Sequence, residues 1–234
     1  MSLRGVVAAC AAGVVAVKAA LDVALPEPAL LHPPGARHGG KFIAQCVKCG
    51  KCIEACPYQA LHAAPLDAGA KAGTPVIDAR AQACRLCADF PCVAACPTGA
   101  LEPVAAREDV RMGTAVINQD LCLSYKAMRC EVCYRACPLI DEAIYINYGA
   151  REGDSIHAVF APVIVEDKCV GCGLCVERCV VSEPECAIRI EPATQRRARE
   201  QQGSGAEGGP GQGAHEGNGS GKGAHEGGGP GKGA

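Results

Sequence analysis

The feature that most constrains this chain is a group of four closely spaced cysteines, Cys46-Val-Lys-Cys49-Gly-Lys-Cys52-Ile-Glu-Ala-Cys56-Pro57. The spacing C-x2-C-x2-C-x3-C-P is typical of chains that ligate a [4Fe–4S] cluster through thiolates. Two residues between cysteines predict a tight loop that directs three thiolates onto one cluster. The next three residues predict a helical turn that carries the fourth thiolate away, and the proline then turns the chain off the helix.

Three further groups of cysteines repeat this pattern with changed spacing. The second, in residues 84–97, is C-x2-C-x4-C-x3-C-P, and the third, in residues 122–138, is C-x7-C-x2-C-x3-C-P. The fourth, in residues 169–179, returns to the first spacing but is followed by Val180 instead of proline. Together they predict four [4Fe–4S] clusters. The sixteen predicted iron ligands are Cys46, Cys49, Cys52, Cys56, Cys84, Cys87, Cys92, Cys96, Cys122, Cys130, Cys133, Cys137, Cys169, Cys172, Cys175 and Cys179.

Eighteen cysteines in 234 residues admit two other interpretations, a disulfide framework and zinc sites. A disulfide framework does not need a repeated register, and two-residue loops strain most disulfides. Zinc sites use paired C-x2-C knuckles but need no third and fourth cysteine at these spacings. Iron–sulfur ligation is therefore favoured. Cys10 and Cys186 lie outside the four groups, and Cys186 is predicted to be a small buried apolar residue.

Composition and motifs argue against an enzyme or a nucleic-acid-binding protein. The formal net charge is −2, whereas a nucleic-acid-binding domain normally has a basic face. His62 and His157 are isolated, and the sequence has no nucleophile elbow and no Gly-rich dinucleotide loop. We therefore predict an electron carrier with no catalytic residue and no small-molecule substrate.

The cysteine groups lie in one predicted domain between segments of different composition. Residues 1–25 are apolar and resemble an export signal or an anchor, although no Arg-Arg pair precedes the apolar run. Residues 26–40 contain four prolines and predict an extended linker, and residues 41–191 are the predicted four-cluster domain. Residues 192–234 are a charged segment followed by a Gly-rich tail that is predicted to be disordered.

Short apolar runs between the cysteine groups predict β-hairpins, because they are bounded by Gly, Pro and Asp. We expect residues 60–63 to pair with 74–78, residues 100–104 with 114–118, and residues 143–147 with 161–165, while residues 187–190 form a last strand. The predicted fold class is α+β, with short helices and short hairpins.

Three stretches carry distinctive neighbours of the cysteines: His32-Pro-Pro-Gly-Ala36, Cys84-Arg-Leu-Cys87-Ala-Asp-Phe-Pro-Cys92-Val-Ala-Ala-Cys96-Pro-Thr-Gly-Ala-Leu101, and Cys122-Leu-Ser-Tyr-Lys-Ala-Met-Arg-Cys130-Glu-Val-Cys133-Tyr-Arg-Ala-Cys137-Pro-Leu-Ile-Asp141. Over residues 30–191 the chain resembles the MauM/NapG family of ferredoxin-type proteins. The third stretch is the most specific, because a seven-residue gap is unusual in a ferredoxin.

The resemblance implies two ferredoxin-like modules with four [4Fe–4S] clusters in a periplasmic, membrane-associated protein. It implies electron transfer from a membrane-bound, NapH-like quinol dehydrogenase toward periplasmic nitrate reductase, or a role in methylamine utilisation. The alternatives are an iron–sulfur subunit of a molybdopterin oxidoreductase and a maturation factor for a periplasmic reductase. By likeness to four-cluster subunits of molybdoenzymes, the first motif would share clusters with the fourth and the second with the third, and sequential pairing is the alternative.

Overall fold

The computed structural model describes residues 30–37, 40–151 and 154–195. The apolar segment at residues 1–25 and the Gly-rich tail after residue 203 lie outside the described residues, so the predictions made for them are not addressed. Among the described residues, no helix has both the length and the apolar character needed to cross a membrane. The described chain is mixed α/β, with short helices and three two-stranded antiparallel sheets.

The first half of the described chain, residues 30–104, contains the first two cysteine motifs. Its elements are α1 (Lys41–Gln45), α2 (Lys51–Glu54), β1 (His62–Ala63), a 3-10 helix (Leu66–Lys71), β2 (Pro75–Val76) and α3 (Pro91–Ala94). His62 pairs with Val76 in the β1–β2 sheet, which confirms the first predicted hairpin.

The second half, residues 113–192, contains the third and fourth motifs and follows a short 3-10 helix (Arg107–Asp109). Its elements are β3 (Gly113–Ile117), α4 (Val132–Ala136), β4 (Ile144–Arg151), β5 (Asp154–Ile164), α5 (Leu174–Arg178) and β6 (Ile188–Pro192). The β4–β5 hairpin pairs Ile144 with Ile164 and Asn147 with Ala161, which confirms the third predicted hairpin, and it continues further than the sequence suggested.

The second predicted hairpin is wrong. Strand β3 pairs with β6, so that Ala115 faces Ile190, and Leu101 instead forms an antiparallel bridge with Ala36. Two local features oppose the predicted pairing: Pro103 has no N–H for a ladder hydrogen bond, and Gly113 lets β6 approach very closely. A Cβ atom on Gly113 would lie 2.4 Å from the carbonyl oxygen of Glu191.

The corrected pairing gives the two halves the same order of elements. In each half, the segment before the earlier motif pairs with the segment after the later motif, by the Ala36–Leu101 bridge in the first half and by β3–β6 in the second. A hairpin, β1–β2 or β4–β5, joins the two motifs of each half. The short helices therefore lie at equivalent places in the two halves.

The hydrophobic core is continuous between the halves. Leu86 and Phe90 of the first half belong to the same buried cluster as Val170 and Cys172 of the second. The proline-rich segment before α1 also contributes, because Pro33 and Pro34 are fully buried. Burial of these apolar groups stabilises the contact between the halves and fixes the positions of the cysteine loops relative to one another.

Candidate metal centres

The sixteen cysteines of the four motifs surround four separate cavities, four cysteines to each. The cavities are similar in volume, between ≈ 370 and ≈ 390 Å³ including the part open to solvent, so each can take a guest of the same size. We name them site A (Cys46, Cys49, Cys52, Cys96), site B (Cys56, Cys84, Cys87, Cys92), site C (Cys137, Cys169, Cys172, Cys175) and site D (Cys122, Cys130, Cys133, Cys179).

Each site combines three cysteines of one motif with the closing cysteine of the other motif in the same half. Cys56 closes the first motif but lines site B, and Cys96 closes the second motif but lines site A. Cys137 and Cys179 are exchanged between sites C and D in the same way. The first motif is thus paired with the second and the third with the fourth, which is the sequential alternative.

Short helices carry the third cysteine of each motif. Gly50 precedes α2 with φ 78° and Gly173 precedes α5 with φ 85°, and both values lie in the left-handed region that glycine adopts without steric cost. The second motif has no glycine there. In its longer x4 gap, Phe90 takes φ 41° immediately before α3 and also lines site B.

The seven-residue gap of the third motif is a loop closed by a buried serine. The Ser124 hydroxyl, which is 1% exposed, donates to the carbonyl oxygen of Cys130 at 2.5 Å. This bond brings the two ends of the gap together and lets Cys122 face the same cavity as Cys130 and Cys133. Arg129 lies over the Phe160 ring at 5.2 Å, so the loop also rests on β5.

Backbone amides point at several of the sulfur atoms. The Ala60 N–H donates to Cys56 Sγ, and the Ala115 N–H donates to Cys169 Sγ, both at 3.4 Å. At Cys96, burial raises the pKa, but hydrogen bonds from the Leu101 backbone and from Thr98 outweigh it, so its pKa is lowered. Such donors stabilise negative charge on sulfur, which both thiolates and iron–sulfur clusters carry.

Most of the remaining thiols are held protonated when no metal is bound. Burial, with the neighbouring thiols as a further cause, raises the pKa of Cys84, Cys133 and Cys172 to about 12. It raises the pKa of Cys52 to about 11. Because metal ligands must be deprotonated, iron binding at these positions has to release protons.

The donor set fits a polynuclear iron–sulfur cluster better than it fits single ions or disulfides. All seventeen cysteines in the described part of the chain are free. Within that part, no three or more His, Cys, Asp or Glu side chains are grouped so that they could hold a single metal ion between them. A cubane cluster separates its four thiolates onto four irons and so needs an enclosed volume with sulfur at its walls.

Of the two remaining cysteines, Cys10 lies outside the described residues and Cys186 lies beside site D. The Cys186 thiol donates to the carbonyl oxygen of Val176 at 3.9 Å and is half-buried, in line with its predicted packing role. Sequence reasoning did not single out Arg80, Arg85 or Glu177, which connect the loop before site B to α5 beside site C. No motif marks these residues.

The 4Fe-4S dicluster domain family matches the chain twice, at residues 45–100 and 126–182. Each match covers two consecutive motifs, in agreement with the pairing described above, although the second begins after Cys122. No solved structure matches the chain.

Curated relatives are similar over most of the chain. The ferredoxin-type protein NapG of Escherichia coli (strain K12) is 44% identical over 164 residues, which cover 69% of this chain and 70% of the relative. The methylamine utilization ferredoxin-type protein MauM of Methylophilus methylotrophus is 42% identical over 75% of this chain and 76% of the relative. The MauM protein of Paracoccus denitrificans (strain Pd 1222) is 38% identical over 81% and 83%.

The dicluster matches and the cysteine-lined cavities identify a [4Fe–4S] electron-transfer protein. The level of identity and the coverage of both chains are sufficient to assign the family predicted from the sequence. This chain belongs to the NapG/MauM family of ferredoxin-type proteins.

Proposed function

We propose that this protein is a polyferredoxin that carries four [4Fe–4S] clusters, one in each of sites A to D. The sixteen cysteines named above would be the iron ligands. The observation that carries the proposal is the exchange of closing cysteines, because each cavity receives three cysteines from one motif and one from its partner. This is the ligation pattern of two-cluster ferredoxins.

We further propose that residues 41–191 form two ferredoxin-like modules, one per half. The shared order of elements in the two halves supports this division, as do the two separate matches to a dicluster domain. Residues 30–37, which bridge to Ile77 and Leu101, pack against the first module.

The relatives suggest the electron-transfer pathway in which the protein works. Their names connect this family with methylamine utilization and with the Nap proteins. We propose that the chain accepts electrons from a membrane-bound, NapH-like quinol dehydrogenase. It would pass them either to a periplasmic nitrate reductase or to the methylamine system. The protein itself would be a carrier in the periplasm and not an enzyme.

The test is quinol-dependent reduction of the purified, anaerobically handled protein by membranes that contain the quinol dehydrogenase. We expect quinol to bleach the visible cluster absorbance, and the periplasmic reductase together with its oxidising substrate, which takes up the electrons, to restore it. Cys49→Ser, which changes a ligand of site A, should slow this cycle, whereas Cys186→Ser, which changes a thiol outside the four sites, should not. The proposal fails if fully assembled reductase takes electrons from quinol at the same rate with the wild-type protein, with Cys49→Ser and with no added protein. That result is expected of a maturation factor, which is not needed once the reductase is assembled.

A further inference from the structure

The two halves meet at two predicted ligand cysteines. The Cys84 N–H, at site B, donates to the carbonyl oxygen of Cys172, at site C, at 3.0 Å. Cys172 is 7% exposed and Cys84 is partly buried, and Leu86, two residues after Cys84, is 0% exposed.

Within each half, packing of the short helices brings the sites together in the same way. Helix α2 packs on α3 beside sites A and B, and α4 packs on α5 beside sites C and D. The sequence also keeps the sites of a half close together. Cys52 of site A and Cys56 of site B lie four residues apart in one motif, and Cys175 of site C and Cys179 of site D have the same separation.

A set of polar contacts fixes the place where the halves meet. Arg80 of the first half donates from one guanidinium nitrogen to the carbonyl oxygens of Val176 and Cys179, both at 2.8 Å, at the end of α5. Glu177 lies on the same helix with only 14% of its side chain exposed. We call Arg80, Arg85 and Glu177, with the Cys84–Cys172 hydrogen bond, the junction.

Glu177 holds the chain on both sides of Cys84. One carboxylate oxygen accepts the Ala83 N–H at 2.7 Å, and the other pairs with the Arg85 guanidinium at 2.7 Å. Removing this carboxylate would leave a shielded N–H and a partly buried guanidinium without their partner, which is costly because both groups have limited access to water. Beside it, Ala79 packs so closely on the site C loop that a Cβ atom on Gly173 would lie 2.5 Å from the Ala79 Cβ.

We propose that electrons cross between the two halves at the Cys84–Cys172 contact, in the order A–B–C–D or its reverse, and that Glu177 is the positioning residue for this step. The inference rests on the proposed four-cluster function. In the step, one electron leaves site B and enters site C, so site B is oxidised and site C reduced by one electron, with no bond broken and no proton moved. The hydrogen bond supplies a short route through two cysteine ligands.

The test uses the full chain, purified without oxygen, in two variants that disturb the junction by opposite means. Glu177→Ala removes the carboxylate that accepts the Ala83 N–H and pairs with Arg85. Ala79→Phe places a bulky side chain against the Gly173 loop. The matched controls are Glu102→Ala, which removes the Arg37–Glu102 surface pair, and Ala81→Phe, which adds the same side chain at an exposed position of the same loop. Iron and acid-labile sulfide are measured first, followed by EPR of the fully reduced protein.

For the wild-type protein we expect about sixteen irons and sixteen sulfides per chain. We also expect an EPR spectrum broadened by magnetic interaction along a row of four sites. We expect both junction variants to lose the interaction between sites B and C, leaving the spectrum of two separate pairs, while both controls keep it. Glu177→Gln, which retains an acceptor for the Ala83 N–H, should restore most of the interaction.

Two results would overturn the proposal. The first is an unchanged spectrum in both junction variants with full iron content, and the second is equal loss in the controls. If Glu177→Ala fails to bind iron, the EPR spectra of Ala79→Phe and Glu177→Gln show instead whether the interaction between sites B and C depends on the junction. A wild-type protein without sulfide would instead overturn the proposed function, so the two failures are distinguishable.

Discussion

The loops of sites A and C have the same cysteine spacing but opposite surroundings. Val47 in the site A loop is 63% exposed, whereas Val170, at the equivalent position of the site C loop, is 3% exposed. Both loops turn into a helix through a glycine with positive φ. A Cβ atom on Gly50 would meet nothing within 4 Å, whereas the same atom on Gly173 would meet Ala79.

The comparison shows that the cysteine spacing determines the local loop, while the residues between the cysteines determine what the loop packs against. The site A loop carries Lys48 and Lys51, and the site C loop has Gly171 and Leu174 in their places. Lysine keeps its charged end in water. Gly171 instead allows the backbone of β3 to approach, since an added Cβ would lie 2.4 Å from the Gly113 nitrogen.

The largest difference between the loops is expected at the position of Lys48 and Gly171. Gly171→Ala places a Cβ atom against backbone atoms of Gly113 at a φ of 71°, and backbone cannot move aside as a side-chain end can. We expect a loss of about 3 kcal/mol in the free energy of unfolding, together with loss of iron from site C. Lys48→Ala should change stability by less than about 0.5 kcal/mol. Anaerobic denaturant unfolding with iron analysis measures both, and equal losses would contradict the account.

A smaller difference is expected at Gly50 and Gly173, where both alanine variants carry the strain of a positive φ. That strain costs about 1 kcal/mol. Gly173→Ala should lose about 1–2 kcal/mol more, because its Cβ also meets Ala79. Adding Ala79→Gly to Gly173→Ala should recover most of the extra loss, whereas adding it to Gly50→Ala should recover nothing. The comparison would fail if the two single variants were equally stable.

The smallest expected difference concerns access of solvent to the metal. Cys49 is exposed at site A, whereas Cys172 at site C is buried. In an excess of iron chelator under anaerobic conditions, about one quarter of the iron should leave in a first, faster phase, because one of four equal clusters is accessible. A Cys49→Ser variant should show that first phase accelerated. Loss of all iron in a single phase would show that the two loops protect their sites equally.

Much of the local structure was predictable from the sequence. The tight loops, the short helices behind the third cysteine of each motif and two of the three hairpins follow from spacing, glycine and proline, which act over a few residues. The pairing of β3 with β6 was not predictable, since residues 100–104 and 188–192 are both short, partly apolar runs. Apart from Pro103, what distinguishes them is the close approach at Gly113, which appears only in the folded chain. Burial of Pro33 and Pro34 was also unexpected, because a proline-rich stretch before a domain usually indicates a linker.

For the sites, the cysteine sets were predictable as motifs, whereas their pairing required tertiary structure. The exchange of Cys56 and Cys96 between sites A and B depends on how α2 and α3 pack, which no spacing within a motif determines. No local sequence pattern predicts the junction. Glu177 reaches the Ala83 N–H across a long stretch of sequence, and such a contact is visible only once the chain is folded.

In the proposed function, each of the four cysteine-lined cavities holds one [4Fe–4S] cluster. The most direct test is the content of iron and acid-labile sulfide per chain in protein purified without oxygen. We expect about sixteen of each, from four clusters of four irons and four sulfides. A value of about eight would mean that only two of the four sites are filled, and a colourless protein without sulfide would contradict the claim altogether.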